Sequence, residues 1–313
     1  MMNQMSLFAP RRLAADLALI TLAASVPEHV RFGTSSWSFP GWEGLVYADK
    51  HSSEALAADG LAEYARHPLL RTVGIDRSFY APIPEADYAR YHAQLPAGFR
   101  CALKMPQLLT LPVFHAHQGG PVGLANPDFL SPEKFCEWMA RPLRATFAEH
   151  VGPLIFEFSP VAAQYRLSAH AFSERLDTFL SELPRDLPYA VELRERSHFT
   201  PAYRRVLERH EVAHVYNYWS AMPSIAAQME AIPPAIAPHA VSRLLLAPGT
   251  KYEAQRALFK PFNRVVAPDP AMRTQVVALL RAAQGPVYVL VNNKAEGCAP
   301  LTIRALAETL VGR

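Results

Sequence analysis

The chain is poor in cysteine, and its three thiols, Cys101, Cys136 and Cys298, lie far apart. Their odd number, and the lack of any CxxC or zinc-finger spacing, argue against a disulfide framework and a structural zinc site. A reducing, cytoplasmic compartment fits, with the thiols as small core hydrophobes. A strong charge of one sign is also missing. The formal charge is +3, from 31 basic and 28 acidic residues. That is far from the dense basic patch of a dedicated nucleic-acid binder. No apolar run approaches the ~20 residues of a membrane span, so membrane insertion is not expected. Arg11-Arg12 followed by Leu13–Val26 has the outline of a signal peptide, but Asp16 interrupts it. Leu13, Leu17, Ile20 and Leu22 recur at rough helical spacing, so residues 1–29 read as a helical extension docked on the main domain. GxGxxG and HExxH are absent, which weighs against a dinucleotide-binding sheet and a zinc hydrolase.

What the chain does have is a repeated alternation. Short apolar runs end in polar or charged residues and are followed by helix-like stretches. The runs are Val30–Thr34, Thr72–Asp76, Arg100–Lys104, Leu154–Glu157, Tyr189–Glu192, Ala213–Asn217, Val241–Leu246 and Val287–Asn292. Strands covered on both faces read as such continuous runs. Between them, apolar residues recur at three- and four-residue spacing, as in Tyr88, Tyr91 and Leu95 or Phe135, Trp138, Met139 and Leu143. Ser131-Pro132-Glu133 is a helix start, with Ser as N-cap and Pro in the first turn. The 28 prolines fall mostly between the runs, as loop punctuation. Eight strand–helix units predict an α/β chain folded as a (β/α)8 TIM-like barrel over residues 30–313. The long connection Leu111–Leu130 would lie at the active face as a lid, a site wall or a plain insertion.

At the strand ends the chain resembles the YecE-like family, domain of unknown function 72. The resemblance rests on FGTSSWSFPGW from Phe32 to Trp42, TVGIDRSFY from Thr72 to Tyr80, and FRCALKMP from Phe99 to Pro106. It extends to YAVELR from Tyr189 to Arg194 and NNKAEGCAP from Asn292 to Pro300. Membership implies a TIM-barrel-like fold and supplies no reaction. The chain departs from the family pattern at several positions. Gly74 and Asp76 stand where Glu and Asn are frequent, Glu157 ends the fourth strand in place of Gln, and Arg243-Leu244-Leu245-Leu246 lacks a seventh-strand His.

Strand alternation groups the residues that can carry chemistry. Lys104 shares a face with Ala102, Glu157 with Ile155 and Ser159, and Glu192 with Ala190 and Arg194. If these faces point inward, Lys104, Glu157 and Glu192 form the catalytic core of one pocket, joined by Asp76 and Asn292, with Arg243 deeper at the start of strand seven. Such charges can equally form a purely structural network that fills the barrel. Glu157 and Glu192 can divide acid and base roles, although a glycosidase reading is weakened because strand seven has no carboxylate. Lys104, flanked by acids that favour its ammonium, suits anion binding better than Schiff-base chemistry. Glu157, Glu192, Asp76 and His198 also offer ligands for a divalent metal, whereas the HxH spacing of His115 and His117 lies in a loop. Trp37, Trp42, Tyr80 and Trp219 offer aromatic walls, and Arg77 and Arg194 suit a phosphate or carboxylate. Asn292 and Asn293 either contact substrate or close a turn. The expectation is an enzyme acting on a small polar, anionic or sugar-like molecule. The alternative is a non-catalytic barrel that binds a small molecule or nucleic acid.

Overall fold

The computed structural model describes residues 16–114 and 120–312. Arg11-Arg12, Leu13, His115 and His117 lie outside the described residues. Eight parallel strands close into a barrel in chain order: β1 (Val30–Thr34), β2 (Thr72–Ile75), β3 (Arg100–Lys104), β4 (Val151–Phe158), β5 (Tyr189–Leu193), β6 (Ala213–Tyr218), β7 (Ala240–Leu244) and β8 (Val287–Val291). The first and last strands pair in register, Val30 opposite Val287 through Thr34 opposite Val291. The chain is thus the (β/α)8 TIM-like barrel that its alternation predicts. The surrounding helices are α1 (Leu17–Ser25), α2 (Ser53–Asp59), α3 (Leu61–Tyr64), α4 (Arg77–Tyr80), α5 (Glu85–His92), α6 (Pro132–Phe135) and α7 (Arg141–Thr146). They continue with α8 (Ala169–Glu182), α9 (Pro201–His210), α10 (Ile225–Ala231), α11 (Tyr252–Phe259), α12 (Pro270–Ala282) and α13 (Ala299–Val311). Among the described residues, no helix is long and apolar enough to cross a membrane.

Period-two alternation divides each strand between two cores. Phe32, Val73, Cys101, Leu103, Leu154, Phe156, Val191, Leu244 and Val289 face outward into the layer shared with the helices. Ala102, Ile155, Ala190, Ala213, Val215, Val241 and Leu290 face inward and form a separate apolar plug. The next inward positions along the strands are therefore Lys104, Glu157, Glu192, Asn217, Arg243 and Asn292, directly above that plug. Two glycines narrow the wall between β1 and β2. A Cβ on Gly33 would lie 2.0 Å from the Thr72 carbonyl oxygen, and one on Gly74 would lie 2.8 Å from that of Ser35.

The extra helix α1 packs on α13 and buries Leu22 and Ala23. Leu17 and Ile20, grouped with Leu22 by spacing, are exposed. The chief tether lies past the helix. Arg71, just before β2, donates from Nη2 to the Ala23 carbonyl at 2.7 Å and from Nη1 to that of Pro27 at 3.0 Å. The Ala23 carbonyl also accepts from the Val26 amide at the helix end, so Arg71 adds a second donor there. Ser131 caps α6 as expected, accepting from the Lys134 amide at 3.2 Å. The helix expected across Phe135–Leu143 is interrupted by a π turn at Cys136–Ala140. Pro142 supplies no N–H for the next α-type bond, which accounts for a break in the ladder there.

Gly33→Ala should lower stability by ~1–3 kcal/mol, because the neighbour it meets is backbone and cannot swing aside. Ser131→Ala, which loses only a cap, should cost ~1 kcal/mol. Urea unfolding with both midpoints unchanged from wild type would contradict this account of the wall and the cap.

Candidate functional site

Arg243 organises the C-terminal mouth. Its side chain leaves β7, crosses the barrel and is almost wholly buried. Nη1 donates to Glu192 Oε2 at 2.6 Å and to Glu157 Oε2 at 3.3 Å. Nη2 donates to both carboxylate oxygens of Asp76 at 3.2 Å. One guanidinium therefore joins strands β7, β5 and β4 to the residue that follows β2. The apolar run at 241–246 suggested that Arg243 sits at the start of its strand. Instead β7 ends at Leu244, and Leu245 and Leu246 turn away with both amides on the Tyr218 carbonyl. Arg243 thus lies at the mouth.

Two further cations complete the cluster. Arg194 donates from Nε to Glu192 Oε1 at 3.0 Å and pairs through Nη2 with Glu157 Oε2 at 2.7 Å. Its guanidinium carbon sits 4.4 Å from the centre of the Trp219 ring. Lys104 Nζ lies 2.6 Å from Glu157 Oε2 and 3.3 Å from the centre of the Phe79 ring. Ser159 adds a hydroxyl donor to Glu157 Oε1 at 2.9 Å. Glu157 and Glu192 are direct partners in the β4–β5 register, so both accept from the same Arg243 nitrogen. Lys104, Arg194 and Arg243 match Asp76, Glu157 and Glu192 in charge. The cluster opens upward, since the Asp76 side chain is 35% exposed and that of Arg194 15%.

The electrostatics separate the roles of these groups. Burial alone would raise the Glu192 carboxyl, but Arg243, Arg194 and Lys104 outweigh it and bring its pKa from 4.5 down to about 2. Glu192 is thus held as a carboxylate and positions its cations; it is a poor proton donor near neutrality. Burial likewise opposes the Arg243 charge, but Glu192, Asp76 and Glu157 reverse that and raise its pKa. For Lys104 the balance goes the other way. Burial lowers the ammonium; Glu157 and Asp76 oppose this, but Arg243 and Arg194 offset much of their effect, so burial prevails. The sequence, which shows the flanking acids but not the extent of burial, suggests the opposite direction.

Several expected residues do not join the cluster. Trp37 is buried, donating to the Leu56 carbonyl at 2.8 Å with Tyr91 against its ring. Arg77 turns toward α5, pairing with Asp87 at 2.7 Å and donating to the Tyr91 hydroxyl at 3.2 Å. Asn293 Oδ1 accepts from the Ala299 amide at 2.8 Å and from Trp42 Nε1 at 3.2 Å, so both side chains tie the eighth loop. Asn292 closes a turn onto the Lys294 amide at 3.0 Å. Tyr80 is 83% exposed and stands beside the mouth with its ring edge-on to Phe79. As a metal centre the donor set fits poorly. The three carboxylates already carry cationic partners, and His198 lies elsewhere, stacked on Phe172 and hydrogen-bonded to the Leu167 carbonyl at 3.0 Å.

Phe79 and Asn217 were missed in the sequence, whereas Ser159 lies on the Glu157 face as alternation predicts. Asn217 was legible, because it follows Val215 by two on β6. It is fully buried and donates to the Leu193 carbonyl at 2.7 Å.

Arg243→Met should destabilise the protein by ~3–5 kcal/mol, as it strands buried carboxylates without their central cation. The sign with pH follows from Glu192. Its lowered pKa contributes stability that is complete above about 4.5 and fades as pH falls toward about 2. The gap between wild type and variant should therefore be widest above pH 4.5 and narrow in acid. A gap that widens on acidification would contradict this assignment.

With this geometry in hand, known proteins provide a comparison. A family model described as protein of unknown function DUF72 matches residues 31–313. Two solved DUF72 family proteins share the fold. One, from Thermotoga maritima, is 18% identical with a TM-score of 0.62, covering 90% of this chain and 98% of that one. Another, from Enterococcus faecalis, is 19% identical with a TM-score of 0.58, covering 91% of this chain and 96% of that one. No curated protein matches by sequence. The five strand-end motifs, the closed barrel and the match across all but the N-terminal segment agree: the chain belongs to the DUF72 family.

Proposed function

We propose that this protein is an enzyme acting on a small polar substrate, anionic or sugar-like, at the C-terminal mouth of the barrel. Lys104 and Glu157 are its proton-transferring pair. The observation that carries this reading is Lys104 itself: a largely buried ammonium, lowered by that burial, 2.6 Å from a buried carboxylate at a strand end. An amine needs a lowered pKa to exchange protons near neutrality. The location is where barrel enzymes place their chemistry.

An incoming anionic group would find Lys104 and Arg194 as donors, with the buried Arg243 holding the carboxylates behind them. Each of these now points at a carboxylate, so binding redistributes existing ion pairs rather than creating isolated charge. Glu157 Oε2, released from some of its cationic partners, is then the proton acceptor, with Lys104 as the returning donor. Glu192, held ionised by two guanidiniums, fixes Arg194 and Arg243 in place. Asp76, the most open carboxylate of the cluster, can accept a hydrogen bond from a substrate hydroxyl. The exposed ring of Tyr80 and the half-exposed ring of Tyr252, with Lys294 Nζ 4.7 Å from its centre, offer faces for a sugar. A glycosidase arrangement is disfavoured, because Arg243 and Arg194 occupy the space that links Glu157 to Glu192.

The test is a thermal-shift panel of sugar phosphates, nucleotides and small carboxylic acids, followed by mass-spectrometric detection of turnover for each stabilising compound. A compound that binds the folded state raises the melting temperature by mass action. Lys104→Met should reduce turnover by ~10²–10⁴-fold, the usual contribution of a general acid or base. Undiminished turnover in Lys104→Met would overturn the assignment. Binding with no turnover in wild type would favour a non-catalytic barrel, and nucleic-acid binding that weakens steeply with salt would favour the nucleic-acid alternative.

A further inference from the structure

The opposite face of the barrel carries a second cluster, built from His92 at the end of α5 and Glu149-His150 in the turn that enters β4. His150 is fully buried. Its Nδ1 lies 2.8 Å from the Phe99 carbonyl oxygen. A carbonyl only accepts, so Nδ1 carries the proton and Nε2 is left with a lone pair in the neutral ring. Among the described residues Nε2 has no hydrogen-bond partner. It faces Glu149 Oε1 at 3.3 Å, and the same oxygen lies 3.2 Å from His92 Nδ1. The two imidazole rings are 5.1 Å apart, and one ligand atom from each residue lies within 4.8 Å of the others.

A lone pair facing a carboxylate oxygen at this distance is repulsive unless positive charge stands with them. Either His150 carries a second proton while His92 donates from Nδ1, or a cation is shared by all three groups. The geometry suits the second. Ligands about 2.0–2.1 Å from a tetrahedral centre are separated by about 3.3–3.4 Å. The two nitrogen–oxygen separations are close to this edge. Two imidazoles and one carboxylate favour zinc, cobalt or nickel over magnesium or calcium, which prefer all-oxygen shells. The Nδ1–H to carbonyl bond is the arrangement that fixes tautomer and orientation in metal-bound histidines. Phe147 packs against the His150 ring at 5.2 Å, while His92 and Glu149 are about half exposed and leave an approach from solvent.

We propose that His92, Glu149 and His150 form a divalent metal site of the zinc class at the N-terminal face of the barrel. It ties the end of α5 to the entrance of β4. Residues at this face of the fold serve stability, whereas the opposite mouth holds the chemistry, so the bound ion is structural.

The experiment uses untagged full-length protein, stripped with chelator and titrated with Co²⁺ while visible absorption is recorded. The expected result is saturable binding with tetrahedral ligand-field bands, displacement by Zn²⁺, and a rise in melting temperature with Zn²⁺. His92→Ala changes a half-exposed side chain and should fold. It and Glu149→Gln should each weaken Co²⁺ binding by at least tenfold and lose the Zn²⁺-dependent rise. His170→Ala, at an exposed histidine paired with Glu174, should retain both. Absence of saturable binding in wild type would overturn the proposal. So would bands that persist unchanged in His92→Ala and Glu149→Gln.

Discussion

The mouth of this barrel depends on one buried guanidinium. Placing Arg243 inside an apolar cylinder is prohibitive without compensating charge. Glu192, Glu157 and Asp76 supply that charge from three other parts of the barrel wall. Three carboxylates around one cation would in turn carry excess negative charge. Lys104 and Arg194 remove the excess, both of them meeting at Glu157 Oε2. Each member is tolerable only because of the others, so the cluster acts as a unit and its energies are not additive. Space is as necessary as charge. The inward positions of β1, β2, β3 and β5 are Gly33, Gly74, Ala102 and Ala190. Their small volume leaves room for a side chain that crosses from β7. Gly74 could not hold a larger residue without displacing the Ser35 backbone, and the acidic function of strand two falls one pleat higher, at Asp76.

This arrangement explains why two neighbouring groups titrate in ways that a simple charge count does not predict. Glu192 is surrounded by cations and stays ionised despite complete burial. Lys104 is largely buried, and that burial outweighs the carboxylate it faces, which it shares with two guanidiniums, so its ammonium is weakened. A balanced cluster thus contains one locked carboxylate and one loosened proton. Both groups sit in a network of fixed charges, the kind of arrangement that preorganised sites exploit.

Much of this was legible in the sequence where period-two alternation holds. Lys104, Glu157, Glu192 and Arg194 each follow an inward small or apolar residue by two or four, and the structure places all of them in one cluster. Legibility fails where the strand ends. Trp37, Arg77 and Asn293 lie in loops or short helices beyond it, where alternation no longer sets direction. Their side chains turn into the wall and serve as packing or hydrogen-bonded ties. Arg243 was misplaced for the complementary reason. The apolar run continues through Leu245 and Leu246 after the strand has ended, so the strand looked longer than it is. The shape of the mouth depends on contacts across the barrel, such as Phe79 beneath the Lys104 ammonium, which no local pattern encodes.

A structural network and a functional one make different demands on burial. Ion pairs taken out of water seldom stabilise a fold more than well-packed apolar residues of the same volume. Directly below the cluster, the barrel is filled by such residues: Ala102, Ile155, Ala190, Val215, Val241 and Leu290. Apolar filling is therefore available to this chain and is used one layer down. If the charges above existed only to fill space, continuing the plug would be the less costly solution, and partial exposure would serve no purpose. Instead the layer is polar throughout, and part of it reaches solvent. Its most buried members, Arg243 and Glu192, hold its more open ones, Arg194 and Asp76, toward the opening. That gradient, from a dry apolar base through a locked ion pair to groups that water and solutes can touch, is what a binding surface requires and a filler does not.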